Sequence, residues 1–124
     1  MKNCFLIVNC NDFKSTKHLV DNVKSYGCID SVLIVDNGSR EEERKLLSSL
    51  ESKKVEIIYN DDNLGYSYGI NIGAKHLIDK YGTCNLIVSN SDIVILSEED
   101  IIILLKELNK DGVGLVGPQI MELG

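Results

Sequence analysis

The chain has 124 residues and a mass of 13.8 kDa, enough for one domain and too short for two. Its ordinary mix of 44% hydrophobic and 26% charged residues excludes disorder, collagen-like repeats and a low-complexity filament. The balance of 13 Lys+Arg against 19 Asp+Glu leaves a net charge of −6, and Lys53-Lys54 is the only adjacent lysine pair, so no cation cluster could displace counterions from a nucleic acid.

The elements alternate along the chain. Cys4–Val8 reads as a first strand, apolar on both faces. Ser15 and Thr16 are candidate caps for a helix running to about Tyr26, with Leu19, Val20 and Val23 on one face and Gly27 as its stop. Ser31–Val35 is a second apolar strand. Ser39 can cap a second helix whose first turn holds Glu41, Glu42 and Glu43, where the helix dipole favours acids. Leu46, Leu47 and Leu50 form its expected inner stripe. Val55–Tyr59 is a third strand. Tyr66 to about Tyr81 is a third helix, with Ile70, Ala74, Leu77 and Ile78 inward. Asn85–Ser89 is a fourth strand. Ser97 begins a fourth helix, with Ile101, Leu104, Leu105 and Leu108 inside. Val113–Val116 is a fifth strand, leaving toward Pro118.

This β-α-β-α-β-α-β-α-β order predicts an α/β, Rossmann-like fold. Crossovers of this length between buried strands predict a mostly parallel sheet with helices on both faces. The apolar run Ile101–Leu105, which no other run exceeds, is far below the roughly 20 residues that span a bilayer. No secretory leader is read at the start of the chain, and the four cysteines, none in a C-x-x-C pair, read as reduced thiols of a cytoplasmic protein.

In an open parallel sheet, ligands bind beyond the carboxyl ends of the strands. Four short polar segments follow the first four strands: Asn9-Cys10-Asn11-Asp12, Asp36-Asn37-Gly38-Ser39, Asn60-Asp61-Asp62-Asn63-Leu64-Gly65 and Asn90-Ser91-Asp92. Each alone also reads as a turn; together they point to one polar rim. Asn90 and Asp92, two apart, can aim hard oxygen ligands at Mg²⁺ or Mn²⁺. Asp36 can accept from a base N–H or a ribose hydroxyl, or simply open a turn. Gly65, Gly69 and Gly73, spaced by four, mark a close backbone approach to the sheet or to a ligand, and Asn71 could point back at the site. His18 and His76 fall within helices, so no catalytic triad is legible. No phosphate loop of the G-x-x-x-x-G-K-[ST] type is present.

The ordered set Val8-Asn9-Cys10-Asn11, Val35-Asp36-Asn37-Gly38-Ser39, Asn63-x-Gly65-(x)5-Asn71-x-Gly73 and Ser89-Asn90-Ser91-Asp92-Ile93 resembles the family 2 inverting glycosyltransferases of the GT-A fold. The rhamnosyltransferase-like branch is the nearest in pattern, and the resemblance runs from residue 4 to about 120. It implies that the backbone of Val8–Asn11 and the side chain of Asp36 hold a base and ribose. It implies further that Asn63, Gly65 and Asn71 line the pocket, with Asn90 and Asp92 in the place of a D-x-D element. Asp92 would be the main ligand of a Mn²⁺ or Mg²⁺ ion on the diphosphate of a UDP- or dTDP-sugar. The chain departs from the family pattern at Cys10, often aromatic there, at Ile70, an Arg in other branches, and at Asn90, where the first acid stands.

The family places its catalytic base and its acceptor site in a second half. Residues 1–124 are therefore expected to be the nucleotide-sugar-binding half alone, without a catalytic residue and without turnover. In a longer protein the acceptor would be a glycan or lipid-linked, at the inner membrane face, in polysaccharide biosynthesis. The other reading is a non-catalytic nucleotide-binding or oligomerisation module of doubly wound fold. There, a surface left open by the missing half drives a homodimer.

Overall fold

A computed structural model describes residues 1–117. Four strands and four helices alternate: β1 (Lys2–Asn9), α1 (Phe13–Val23), β2 (Ser31–Asn37), α2 (Glu41–Ser48), β3 (Val55–Asn60), α3 (Tyr66–Tyr81), β4 (Cys84–Asn90) and α4 (Glu98–Leu108). The strands form one parallel sheet in the order β3-β2-β1-β4. The fold is the expected α/β, Rossmann-like arrangement.

The alternation of side chains along each strand sorts the core into two layers. Phe5, Ile7, Val32, Ile34 and Val55 face one side, where Leu19, Val20 and Val23 of α1, Leu47 of α2, and Ile101 and Leu105 of α4 pack on them. Cys4, Leu6, Leu33 and Val35 face the other side, against Leu77 of α3. Central β1 and β2 are buried along almost their whole length, and β4 is the more open edge. Two of the expected glycine approaches are contacts with this sheet. A Cβ on Gly73 would stand 2.4 Å from Leu6 Cδ1, and one on Gly69 would stand 2.9 Å from Asn37 Nδ2. Gly65 is not in the helix. It precedes α3 with φ +99, a backbone conformation that glycine adopts without a Cβ penalty.

Several local expectations are corrected. The fifth strand does not form: Val113–Gly117 has no strand pairing, and Leu115 is 90% exposed. Pro118 lies outside the described residues. Val113–Val116 pair with no strand among the described residues, and a strand without a ladder leaves its backbone groups to water. Asp12 caps α1, accepting from Ser15 N at 3.4 Å, so Ser15 and Thr16 lie inside the helix. The helix also ends at Val23, ahead of Gly27. The residue at the start of α2 is Arg40, because the Ser39 hydroxyl is turned to Asp36. Leu46 and Ile78 face outward, half exposed. In α3 the glycines take the inner positions that Ile78 was expected to share.

No helix among the described residues is long and apolar enough to cross a membrane.

Candidate functional site at the strand tips

Register brings the tips together. Val8 pairs with Asn90, Asn9 with Asp36, and Asn37 with Asn60. All four polar segments therefore begin at one edge of the sheet, as the spacing predicts.

The centre of this rim is a buried polar network. Asp36 is 0% exposed and Asn9 1%. Asn9 Nδ2 donates to Asp36 Oδ1 at 3.0 Å, and Thr16 Oγ1 donates to Asn9 Oδ1 at 2.7 Å. The Ser39 hydroxyl donates a short bond to Asp36 Oδ1, and Ser39 N donates to Oδ2 at 3.2 Å. Arg44 Nε lies 3.5 Å from the same Oδ2. A carboxylate offers about four lone-pair sites; three hydrogen bonds fill most of them, and Arg44 adds an ion pair. Asp36, expected to accept directly from a base or ribose, thus stands behind the rim with its oxygens engaged.

Around this network the chain is open. Cys10 and Asn11 are exposed at the tip of β1. Asn11 takes a left-handed conformation, φ 51, which Asn tolerates better than most residues. It is held there from α2's side: its N–H donates to Ser39 Oγ at 2.8 Å, and its Oδ1 accepts from Arg40 N at 2.8 Å. Asn63 Nδ2 contacts Cys10 Sγ at 3.6 Å, and Asn63 Oδ1 accepts from Gly65 N at 3.0 Å. Gly38, at φ +69, leaves room for this loop: a Cβ there would meet Asn63 N at 2.9 Å. Asn37 Nδ2 in turn donates to the Gly65 carbonyl at 3.0 Å. Cys10, Asn11, Asn63 and Gly65 are therefore one continuous surface.

Asn90 and Asp92 are exposed at the tip of β4. Ser91 Oγ donates to Asp12 Oδ2 at 3.2 Å, which ties this turn to the end of the β1 segment. Asp92 opens into a cleft of about 520 Å³ beside α1, lined also by Lys14, Lys17, His18 and Ile93. Asp36 does not border this cleft, so the two carboxylates share a rim but not an opening. Asn71 is exposed on α3.

Among the described residues no three His, Cys, Asp or Glu side chains cluster closely enough to hold an ion by themselves. Asp92 and Asn90 present hard oxygens at an exposed turn. That donor set suits an ion that keeps water and phosphate oxygens as most of its ligands, and does not suit an all-protein cage. Cys4 and Cys28 are poor nucleophiles. Burial, then neighbouring Cys84, pushes the Cys4 thiol up to about 12, and burial pushes Cys28 to about 11.

Thr16, Ser39 and Arg44 were not singled out as site residues by the sequence. One signal was available: a carboxylate placed directly after a fully apolar strand needs a countercharge, and Arg40 and Arg44 are the chain's only arginines.

The model of the family described as Glycosyl transferase family 2 matches residues 4–123. A comparison with curated protein sequences returns no match. Among solved structures, the fold is similar to that of 4-diphosphocytidyl-2C-methyl-D-erythritol synthase, with a TM-score of 0.71 at 15% identity over 89% of this chain and 55% of that one. It is also similar to S. aureus TarS 1–349, with a TM-score of 0.68 at 18% identity over 96% of this chain and 39% of that one. The chain thus spans about half the length of the first and less of the second. At such identities the likeness shows the fold alone.

Proposed function

The chain belongs to glycosyl transferase family 2, and we propose that its strand-tip rim binds a nucleotide-diphospho-sugar. The observation that carries this reading is the convergence of Asn9–Asn11, Asn63–Gly65 and Asn90–Asp92 on one edge of a parallel sheet. The likeness in fold to a synthase named for a diphosphocytidyl compound supports it.

In this reading the exposed surface of Cys10, Asn11, Asn63 and Gly65 receives the base and ribose, together with the backbone of Val8. Asn9 and Asp36 hold that surface from beneath. A ligand donor reaches Asp36 directly only by replacing one of its present partners. Asn71 borders the pocket from α3. Asn90 and Asp92 face the diphosphate, and Asp92 is the main ligand of a Mn²⁺ or Mg²⁺ ion. Such an ion offsets the negative charge of the departing nucleoside diphosphate. The nucleotide is UDP or dTDP, the transfer is inverting, and the acceptor is a glycan or a lipid-linked sugar, as in the rhamnosyltransferase-like branch. No residue of this chain is assigned the part of catalytic base.

Calorimetric titration of the chain with UDP and with dTDP, each with and without Mn²⁺, tests this. The expected result is binding that strengthens with the ion. Failure of both nucleotides to bind under every condition removes the reading.

A second reading has an observation of its own. Val88, Val94 and Leu96, on and beyond the open edge strand β4, are 42%, 61% and 88% exposed, and apolar groups at an unpaired edge favour self-association. Light scattering of the chain, with and without nucleotide, reads this homodimer directly.

A further inference from the structure

We infer that Arg44 is a positioning residue of the rim, acting on a bound nucleotide through Asp36. The inference rests on the nucleotide reading above and adds a residue that the family pattern of strand-tip motifs does not contain.

Asp36 is fully enclosed, and a carboxylate in that place needs a cation. Among the described residues Arg44 is the one cation paired with it, at 3.5 Å. Arg44 Nε is itself buried and is the one buried side-chain polar atom of the described residues without a hydrogen bond. Its surroundings aim it. Nη2 donates to the Asn60 carbonyl at 2.5 Å, the guanidinium lies 5.4 Å from the centre of the Tyr59 ring, and Asp61 is 3.9 Å away. The same Asn60 carbonyl accepts from Gly38 N at 3.0 Å. One side chain of α2 thus touches the tips of both β2 and β3.

From Asp36 the chain of contacts runs outward. Asp36 holds Ser39 by its hydroxyl and its N–H, and Ser39 Oγ accepts from Asn11 N. Asn11 stands beside Cys10 on the exposed surface. Planarity matters here: the Arg fork meets a carboxylate and a carbonyl at once, which an ammonium group cannot reproduce in the same geometry.

The test uses the whole chain with Arg44→Met, Arg44→Lys and Asp36→Asn. Amide hydrogen exchange is the first measurement, and it needs no ligand. Arg44→Met should speed exchange at Ser39 and Asn11 by about tenfold or more while Leu33 and Ile34 in the strand core stay as they were. Arg44→Lys should recover part of the protection. Unchanged exchange at Ser39 and Asn11 overturns the inference. Affinity for UDP is the second measurement. Arg44→Met should weaken binding about tenfold in the native background and add no further loss to Asp36→Asn, because the two act as a unit. An equal loss in both backgrounds overturns the inference, since Arg44 would then act without Asp36. A native chain that binds no nucleotide removes the functional reading alone, and the exchange measurement still decides the positioning role. Should Arg44→Met not fold, Arg44→Gln carries the same measurements.

Discussion

Asn63 and Cys10 touch across 53 positions of sequence: the Asn63 amide lies 3.6 Å from the Cys10 sulfur and joins the loop after β3 to the tip of β1. This contact makes a chemical probe of the rim. Cys10 is the exposed thiol of the four, while Cys4 is fully buried with its thiol raised by burial. N-ethylmaleimide should therefore modify Cys10 first and leave Cys4 untouched in the folded chain. UDP with Mn²⁺ should slow the reaction at Cys10 severalfold. Peptide mass spectrometry over time reads both. Equal rates with and without nucleotide would take Cys10 out of the ligand surface.

Removing the carboxylate of Asp36 leaves the Arg44 guanidinium, the Asn9 amide and the Ser39 hydroxyl without their shared partner. Breaking one side of a buried ion pair costs about 3–5 kcal/mol. Asp36→Ala should lose stability of that order in urea unfolding. A loss below about 1 kcal/mol, the range of exposed pairs, would show that the network is not closed to water.

Gly73 sets how close α3 comes to the sheet. Alanine in a helix is better than glycine by about 1 kcal/mol, but the added methyl would stand 2.4 Å from Leu6 Cδ1 and 3.0 Å from Val35 Cγ2. Both neighbours are buried, and overpacking a core costs about 1–3 kcal/mol. Gly73→Ala should therefore destabilise the chain, with a lower urea midpoint at unchanged slope. A raised midpoint would mean that α3 can lift from the sheet at little cost.

Away from the site, Glu56 of β3 meets His76 Nε2 at 2.9 Å and Lys80 Nζ at 3.3 Å, both on α3. Desolvation alone would raise the Glu56 carboxyl, but the bonds from His76 and Lys80 outweigh it and hold it below its ordinary 4.5. A carboxyl lowered on folding gives stability that is present above its unfolded value and fades as pH falls through its folded one. Glu56→Gln should thus be less stable than the native chain near neutral pH, and the gap should close below about pH 4.5. The pair is partly solvated, so the effect is small. Urea midpoints measured from pH 3 to pH 7 read it, and a gap that widens on acidification would reverse the sign.

How far the sequence carried differs by element. β1 and β2 are apolar on both faces because they lie between helices, so their runs were plain to read. α3 was read with its ends in place, at Tyr66 and about Tyr81, although the spacing of Gly65, Gly69 and Gly73 had set Gly65 on the helix face and the structure puts it at the N-cap. Val113–Val116 has a strand's composition, but β propensity expresses itself only against a neighbouring strand, and none is present among the described residues. At the rim, the positions of Asn9, Asp36, Asn63 and Asn90 followed from the strand ends. The direction of Asp36 did not, because it depends on Arg44 and Asn9, residues that meet it through tertiary packing and not through spacing.

The account stands on a divalent ion held at Asp92 beside a nucleotide on the same rim. Paramagnetic broadening of backbone amide signals by Mn²⁺ in the presence of UDP tests it most directly. The predicted result is broadening centred on Asn90–Asp92, reaching Asn11 and Asn63, and lost in Asp92→Ala while that variant stays folded. Broadening centred elsewhere, or unchanged in Asp92→Ala, would contradict it.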